Sequence, residues 1–317
     1  MEALLSLAFD NLSSYDGPKI RKGLRQVEGL LAQICLSNAS SGRGRSSSLS
    51  SNVPNDDDDA SAVAPRKDLA QLTQDPAFRE FFKLQEGFEW NVAMRLISTL
   101  DRLMAKGSDG QNDLLILSAL DLIQGVTLLH PPSKSLFARE QNMNVRHRPQ
   151  SSYDECPGLT TYPSLSQLLL DLLEPYNCPA IQSATLLTLV VALIDTPNNT
   201  RTFEGLDGLM TVTSLFKSRS TSREVKLKLV EFLYFYLMPE TPSPPRSDQR
   251  ESVFQRSPSK LVSYGVDGRN GRKRANSNGV ITLTTAEKQQ LLSRHLSSVE
   301  DLVKDLRNCA PFGGITC

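Results

Sequence analysis

The chain has little of what catalysis and metal binding draw on. It holds three histidines, five cysteines and one tryptophan in 317 residues. Cys35, Cys156, Cys178, Cys309 and Cys317 are scattered, odd in number and never paired as C-x-x-C. They read as reduced cytoplasmic thiols, not as a zinc site or a disulfide framework. P-loop, GxGxxG and HExxH motifs are all missing from the sequence. No apolar run approaches the roughly 18 residues of a membrane-spanning helix. The opening Met1-Glu2-Ala3-Leu4 lacks the basic region of a signal peptide. Lys+Arg and Asp+Glu stand at 35 each, so no global charge recruits nucleic acid or a membrane surface. Hydrophobic residues make up 39% and mean hydropathy is −0.28, low enough to predict sizeable segments outside any packed core.

What is present is helical and repeats itself. Leu136-Phe137-Ala138-Arg139-Glu140-Gln141-Asn142-Met143 is echoed by Thr202-Phe203-Glu204-Gly205-Leu206-Asp207-Gly208-Leu209. His130-Pro131-Pro132 precedes the first as Asp195-Thr196-Pro197 precedes the second. Phe137 and Phe203 are 66 residues apart, but the polar stretch 145–167 interrupts the pattern, and without its 23 residues the period is 43. That period suits armadillo or HEAT units, whose helices shield their apolar faces only by stacking. The expected fold is all-α: an armadillo/HEAT-like stack with disordered insertions and a C-terminal helix.

Residues 1–36 read as two N-terminal cap helices split at Asp16-Gly17-Pro18, since proline suits a first helical turn. The serine-rich and Asp-rich segment 37–66 lacks aromatics and reads as a disordered loop. Its Asp56–Asp59 run has no spaced ligands, so it is a solvated acidic run. Repeats are expected over 67–238, with a helix start at Asp75-Pro76 and an amphipathic helix Asn91–Lys106 carrying Val92, Leu96, Leu100 and Leu103. Trp90 beside that stripe is assigned to the core. Asn112–His130 is apolar nearly all round and should be buried on several sides. Gln167–Leu173, Ala180–Ile194, Leu206–Lys217 and Arg223–Met238 continue the pattern, with Ile181 equivalent to Val225 and Leu193 to Leu237. The inner helices Asn112–His130, Ala180–Ile194 and Arg223–Met238 are expected to line a groove.

Segment 239–283 reads as a disordered basic linker, with eight Lys/Arg against three Asp/Glu between Thr241 and Val280. A capping box at Thr284 and Glu287 then starts a final helix, 284–310. Its stripe is Leu291, Leu292, Leu296, Val299, Leu302, Val303 and Leu306. The helix is expected to dock on the array or on a partner.

Several phrases in order resemble one family: Leu5-Ser6-Leu7-Ala8-Phe9-Asp10-Asn11-Leu12, Phe81-Phe82-Lys83-Leu84-Gln85, His130-Pro131-Pro132-Ser133-Lys134-Ser135-Leu136-Phe137, and Val299-Glu300-Asp301-Leu302-Val303. The family is the fungal cell division control protein 14 of the septation initiation network. The resemblance implies a non-catalytic partner of a germinal-centre-class protein kinase, acting at a spindle pole body scaffold late in mitosis to promote septum formation and cytokinesis. Its location would be the cytoplasm and the spindle pole body. It implies no cofactor, metal or small-molecule substrate. A phosphatase of similar name requires H-C-x5-R, and no such run exists here. The family pattern runs from Met143-Asn144 to Leu168-Leu169-Leu170, so 145–167 is either a retained intron or a genuine insertion, and is expected to loop out without secondary structure.

For chemistry, His130, His147 and His295 lie apart along the chain and read as cap or surface residues, not as parts of a triad. Arg272-Lys273-Arg274 has no aromatic platform for base stacking. Candidate phosphosites are Thr241, Ser243 and Ser257, each before proline, and Ser277, three residues after Arg274. The candidate partner surface comprises Tyr234 and Tyr236, exposed aromatics at the end of an inner helix for which core packing is nevertheless the preferred role, and Glu300 and Asp301. The competing class is a helical-repeat adaptor for nuclear transport or RNA binding, which would show Asn/Trp ladders or a basic inner groove. Neither is visible.

Overall fold

A computed structural model describes residues 1–36, 67–106, 110–138, 165–240, 282–297 and 299–300. Among these residues there are helices and turns and no β-strand element. No described helix is long and apolar enough to cross a membrane.

Helices α1 (Glu2–Leu12) and α2 (Gly17–Cys35) form a hairpin, and proline stands in the first turn of α2. Gly23 lets them touch: a Cβ there would meet Leu12 N at 2.9 Å and Ala8 O at 3.0 Å. After α3 (Leu69–Gln74), Asp75 caps α4 (Pro76–Glu86) by accepting from Ala77 N at 2.7 Å. Asn91 caps α5 (Val92–Ala105) through Met94 N, and the expected stripe of Val92, Leu96, Leu100 and Leu103 is buried. Arg102, in the last turn of α5, donates to the Ser13 carbonyl at 2.8 Å and also to that of Leu12, satisfying the carbonyl end of α1.

Then comes α6 (Asp113–Leu129), followed by a 3-10 turn over Pro131–Phe137. The chain resumes with α7 (Leu165–Leu172), α8 (Pro179–Leu193), α9 (Pro197–Gly205), α10 (Gly208–Lys217), α11 (Arg223–Leu237) and α12 (Thr285–Ser293). Asp207, in the left-handed region at φ 58°, separates α9 from α10. The elements carrying the two echoed phenylalanines match. The turn Pro131–Phe137 and α9 each follow a long apolar helix, begin at a proline and bury their phenylalanine: Phe137 is 1% exposed and Phe203 0%. Residues 139–143 of the first phrase lie outside the described residues. Ile181 and Val225 are both buried in the first turn of the long helix that follows.

Helix α6 packs on α2, α5 and α8, and α8 packs in turn on α11, which carries α12. Four long helices are therefore neighbours in the order α2, α6, α8, α11. Gln124 pins one junction, donating to Thr188 Oγ1 at 2.9 Å and Ala184 O at 3.4 Å across α6 and α8. Leu165, Leu168 and Leu169 on α7 and Phe203, Phe232 and Leu233 near the other end join the same core.

Two expectations need correction. Stretch 145–167 is not wholly without secondary structure, because Leu165–Gln167 form the first turn of α7. Leu165 is buried there, and Ser166 Oγ donates to Phe137 O at 2.6 Å, so these residues gain core burial and a hydrogen bond by being helical. The final helix is not continuous over 284–310. Helix α12 stops at Ser293, and the chain turns through Arg294–Ser297 before helical backbone resumes at 299. Lys217 Nζ takes the His295 carbonyl at 2.5 Å, a bond to α10 that stands at the break. The turn still buries Leu292, Leu296 and Val299. The remainder of both stretches lies outside the described residues.

Candidate protein-docking face and its supports

The residues that a catalytic reading would need are absorbed by the fold. His130 closes α6 and is 2% exposed, so the expectation of a cap holds and that of a surface residue does not. Its Nδ1 lies 2.8 Å from Ser133 Oγ, and its ring meets Phe82 edge-on at 4.5 Å. Burial pushes its pKa below the ordinary 6.5, against a raising pull from Glu86. Lys134 Nζ donates to Ile194 O at 3.0 Å, and Asn199 Nδ2 donates to Lys134 O at 2.9 Å and Ala192 O at 2.7 Å. The His-Pro-Pro-Ser-Lys-Ser phrase is thus a joint that ties the end of α6 to the end of α8. His295 contributes its carbonyl to Lys217, and His147 lies outside the described residues. Among the described residues no group of three or more His, Cys, Asp and Glu could hold a metal ion.

The joint carries a pH dependence whose sign follows from His130. Its folded-state pKa is depressed, so the folded chain resists a proton that the unfolded chain accepts below about 6.5. No penalty exists above that pH; one grows as pH falls below 6.5 and levels off once the pH is below the folded value. Urea midpoints are expected to fall between pH 7 and pH 5 in the native chain, and to fall less in His130→Gln. An equal loss in both would exclude His130 as the cause.

A second polar cluster holds α12 to the end of the array. Arg201 bridges Glu204 at 2.9 Å and Glu240 at 2.5 Å, and Lys288 Nζ reaches Glu240 at 3.1 Å and Met238 O at 3.0 Å. Leu283 N donates to Glu240 Oε2 at 2.8 Å, while Glu240 N donates to Leu283 O at 3.2 Å. Tyr236 donates its hydroxyl to Glu204 at 2.8 Å, and its ring lies 5.3 Å from Lys288 Nζ. Burial and then Glu204 push the Tyr236 pKa far up. Burial pushes Lys288 down against the pull of Glu240, and pushes Glu204 up against Tyr236 and Arg201.

This cluster bears out core packing for Tyr236 and removes it from the exposed, partner-facing aromatics. It is 4% exposed, because its ring fills the space between α11, α9 and α12. Tyr234 is half-buried and Glu300 is exposed. Asp301 and the candidate phosphosites Thr241, Ser243, Ser257 and Ser277 lie outside the described residues. Trp90 is half-buried and packs on the core, its ring stacked on Phe9 at 6.3 Å.

Among the hollows of the described residues, two lie between long helices. One, of about 250 Å³, sits between the ends of α8 and α11 and is lined by Ile194, Phe235 and Met238 beside Asp195 and Glu240. The larger, of about 800 Å³, is a groove between α2 and α6. Its apolar walls include Leu24, Leu31, Leu117 and Leu129, with Leu114 70% and Leu128 60% exposed at its ends. Glu28 and Asp121 face each other across its middle, and burial together with Glu28 pushes the Asp121 carboxyl up. Arg21 and Arg25 stand along the α2 wall. Nothing in the sequence marked these residues as a groove: Leu24 and Leu31 stood out only as part of the apolar stripe of α2, and Ser118, Asp121 and Gly125 lie at helical spacing on a largely apolar α6.

The family model for cell division control protein 14, described as a SIN component, matches residues 1–146 and 158–312. The gap falls inside stretch 145–167. The chain is also 27% identical over 321 residues to the cell division control protein 14 of Schizosaccharomyces pombe, covering 99% of this chain and 97% of that protein. No solved structure matches the chain at a significant level.

Proposed function

The chain belongs to the cell division control protein 14 family, a component of the septation initiation network, and we propose that it is the non-catalytic scaffold of a germinal-centre-class protein kinase there. In this reading it promotes septum formation and cytokinesis from the spindle pole body, and its helices form an armadillo-like stack. The observation that carries the proposal is the division of labour among side chains. Buried and half-buried polar groups such as His130, Lys134, Glu204 and Glu240 are committed to joints between helices. Exposed apolar ones, among them Leu114, Leu128, Leu187, Leu227 and Phe235, lie on the consecutive helices α6, α8 and α11. Apolar area left open on a row of rigid helices suits a protein partner better than a substrate.

Thr241, Ser243, Ser257 and Ser277 fit this reading as kinase targets, where phosphate would add up to two negative charges per site to a basic segment. Glu300, exposed beyond α12, and Asp301 after it are candidate contacts, with Tyr234 on α11. A nucleic-acid adaptor draws no support from the larger groove, which sets Glu28 and Asp121 beside Arg21 and Arg25.

Co-expression with the septation kinase is the test. The two chains are expected to co-purify and to co-elute on size exclusion, and the chain alone is expected to show no phosphatase turnover. Separate elution would remove the scaffold mechanism.

A further inference from the structure

We infer that the groove between α2 and α6 seats an amphipathic helix of the partner protein, with a lysine or arginine of that helix between Glu28 and Asp121. This rests on the scaffold reading and adds the surface and the chemistry of its occupant.

Three independent features define the occupant. The first is length. From Leu114 to Leu128 the α6 wall runs about 21 Å at 1.5 Å per residue, four turns of a docked helix. Leu114 and Leu128 mark its two ends at 70% and 60% exposure. Such a groove between two helices reads a partner through apolar residues at i, i+3 or i+4, and i+7.

The second is charge. Among the described residues Glu28 and Asp121 form no ion pair, nor do Arg21 and Arg25, although all four line one groove. Two facing carboxylates on a partly desolvated wall repel each other, and one cation between them relieves both. Glu28 lies near Asp121 and Leu31 near Gly125, so α2 and α6 run in parallel along the groove. Arg21 and Arg25 therefore stand toward the Leu114 end. The complementary helix carries its base at mid-groove and an acid toward Leu114, which fixes its direction.

The third is Gly125. Glycine inside a helix is destabilising relative to alanine. Helix packing does not require it here, because a Cβ would meet only Leu31 Cδ1 at 3.8 Å, an ordinary contact. Gly125 lines the groove, so what its missing side chain leaves open is the floor on which a partner's helix would lie.

The test uses the full chain co-purified with the kinase. Gly125→Leu fills the floor with a better helix former, and Glu28→Lys with Asp121→Lys reverses the central charge. Each is expected to weaken capture at least tenfold while the thermal midpoint holds. Met210→Asp, at an exposed site on α10, is expected to leave capture unchanged. If the native chain binds and both groove variants bind equally well, this inference fails and the scaffold reading stands. If the native chain fails to bind, both fail together. A homodimer that Gly125→Leu dissociates would assign the groove to a second copy and overturn the inference. So would faster deuterium uptake along α6 on deletion of 301–317, which would assign it to the chain's own tail.

Discussion

Gly208→Ala is expected to destabilise the chain by about 3 kcal/mol, at the upper end of what overpacking a core costs. A Cβ at this first residue of α10 would sit 2.3 Å from Phe203 Cε2 and 2.4 Å from Cδ2. Distances that short must be relieved by movement, and the ring has nowhere to go. Phe203 is fully buried and meets Phe232 edge-on at 5.6 Å, so a swing of one ring displaces the other. The backbone cannot slide easily either, because Asp207 just before it is held in the left-handed region. The thermal midpoint should drop by roughly 6–12 °C for a body of this size. Calorimetry on the two chains checks it. Phe203→Leu added to Gly208→Ala should recover part of the loss by vacating the contested space. An unchanged midpoint for Gly208→Ala would mean that α9 and α10 are not packed as described.

The second large effect belongs to Glu240. Its carboxylate, 7% exposed, serves Arg201, Lys288 and the backbone of Leu283 at once. Glu240→Ala leaves the Lys288 ammonium, itself 5% exposed, with the Met238 carbonyl, the Tyr236 ring and the more distant pull of Glu204. Stripping one partner from a buried pair costs about 3–5 kcal/mol, chiefly because the other charge stays desolvated. The chain can avoid that cost in only one local way, by releasing α12 so that Lys288 returns to water. Glu240→Ala is therefore expected to lose hydrogen-exchange protection over 285–293 before the rest of the chain unfolds. Replacing both residues, Glu240→Met with Lys288→Met, should restore much of the protection, since no charge is then buried. Lys228→Ala makes the contrast. Its pair with Glu231 is 43% and 47% exposed, and its loss should not register. Protection over α12 that survives Glu240→Ala would show that Leu292 and Leu296 hold the helix without the ion network.

Much of the architecture could be read along the chain because the signals there are local. Asp75, Asn91 and Thr284 announced helix starts, since a cap needs only its own next three residues. The Phe137 and Phe203 echo placed two buried anchors correctly, because each sits the same short distance past a proline-marked turn. Helix α9 was not singled out, and α10 was started two residues early, at Leu206. The break depends on one left-handed aspartate, and aspartate is equally at home in a helix end or a turn.

The docking face was far less legible. Tyr236 looked like an interface aromatic until Glu204 and Lys288, 32 and 52 positions away, closed over it. Helix α6 is buried on several sides, as its all-round apolarity implies, yet Leu114 and Leu128 are open because α2, α5 and α8 leave one stripe uncovered. Periodicity reports how much apolar face a helix has, and says nothing about which part of it a neighbour covers.

The amino-acid order by itself determined that this chain is helical, where most of its helices begin, and that its order of phrases is that of one family. Those properties rest on neighbours within a turn or two. It takes the packed molecule to show that α12 folds back onto α11, that the His130 phrase is a joint between helices, and that a groove stays open between α2 and α6. Each of these depends on which surfaces meet across many tens of residues, and burial is settled by that meeting.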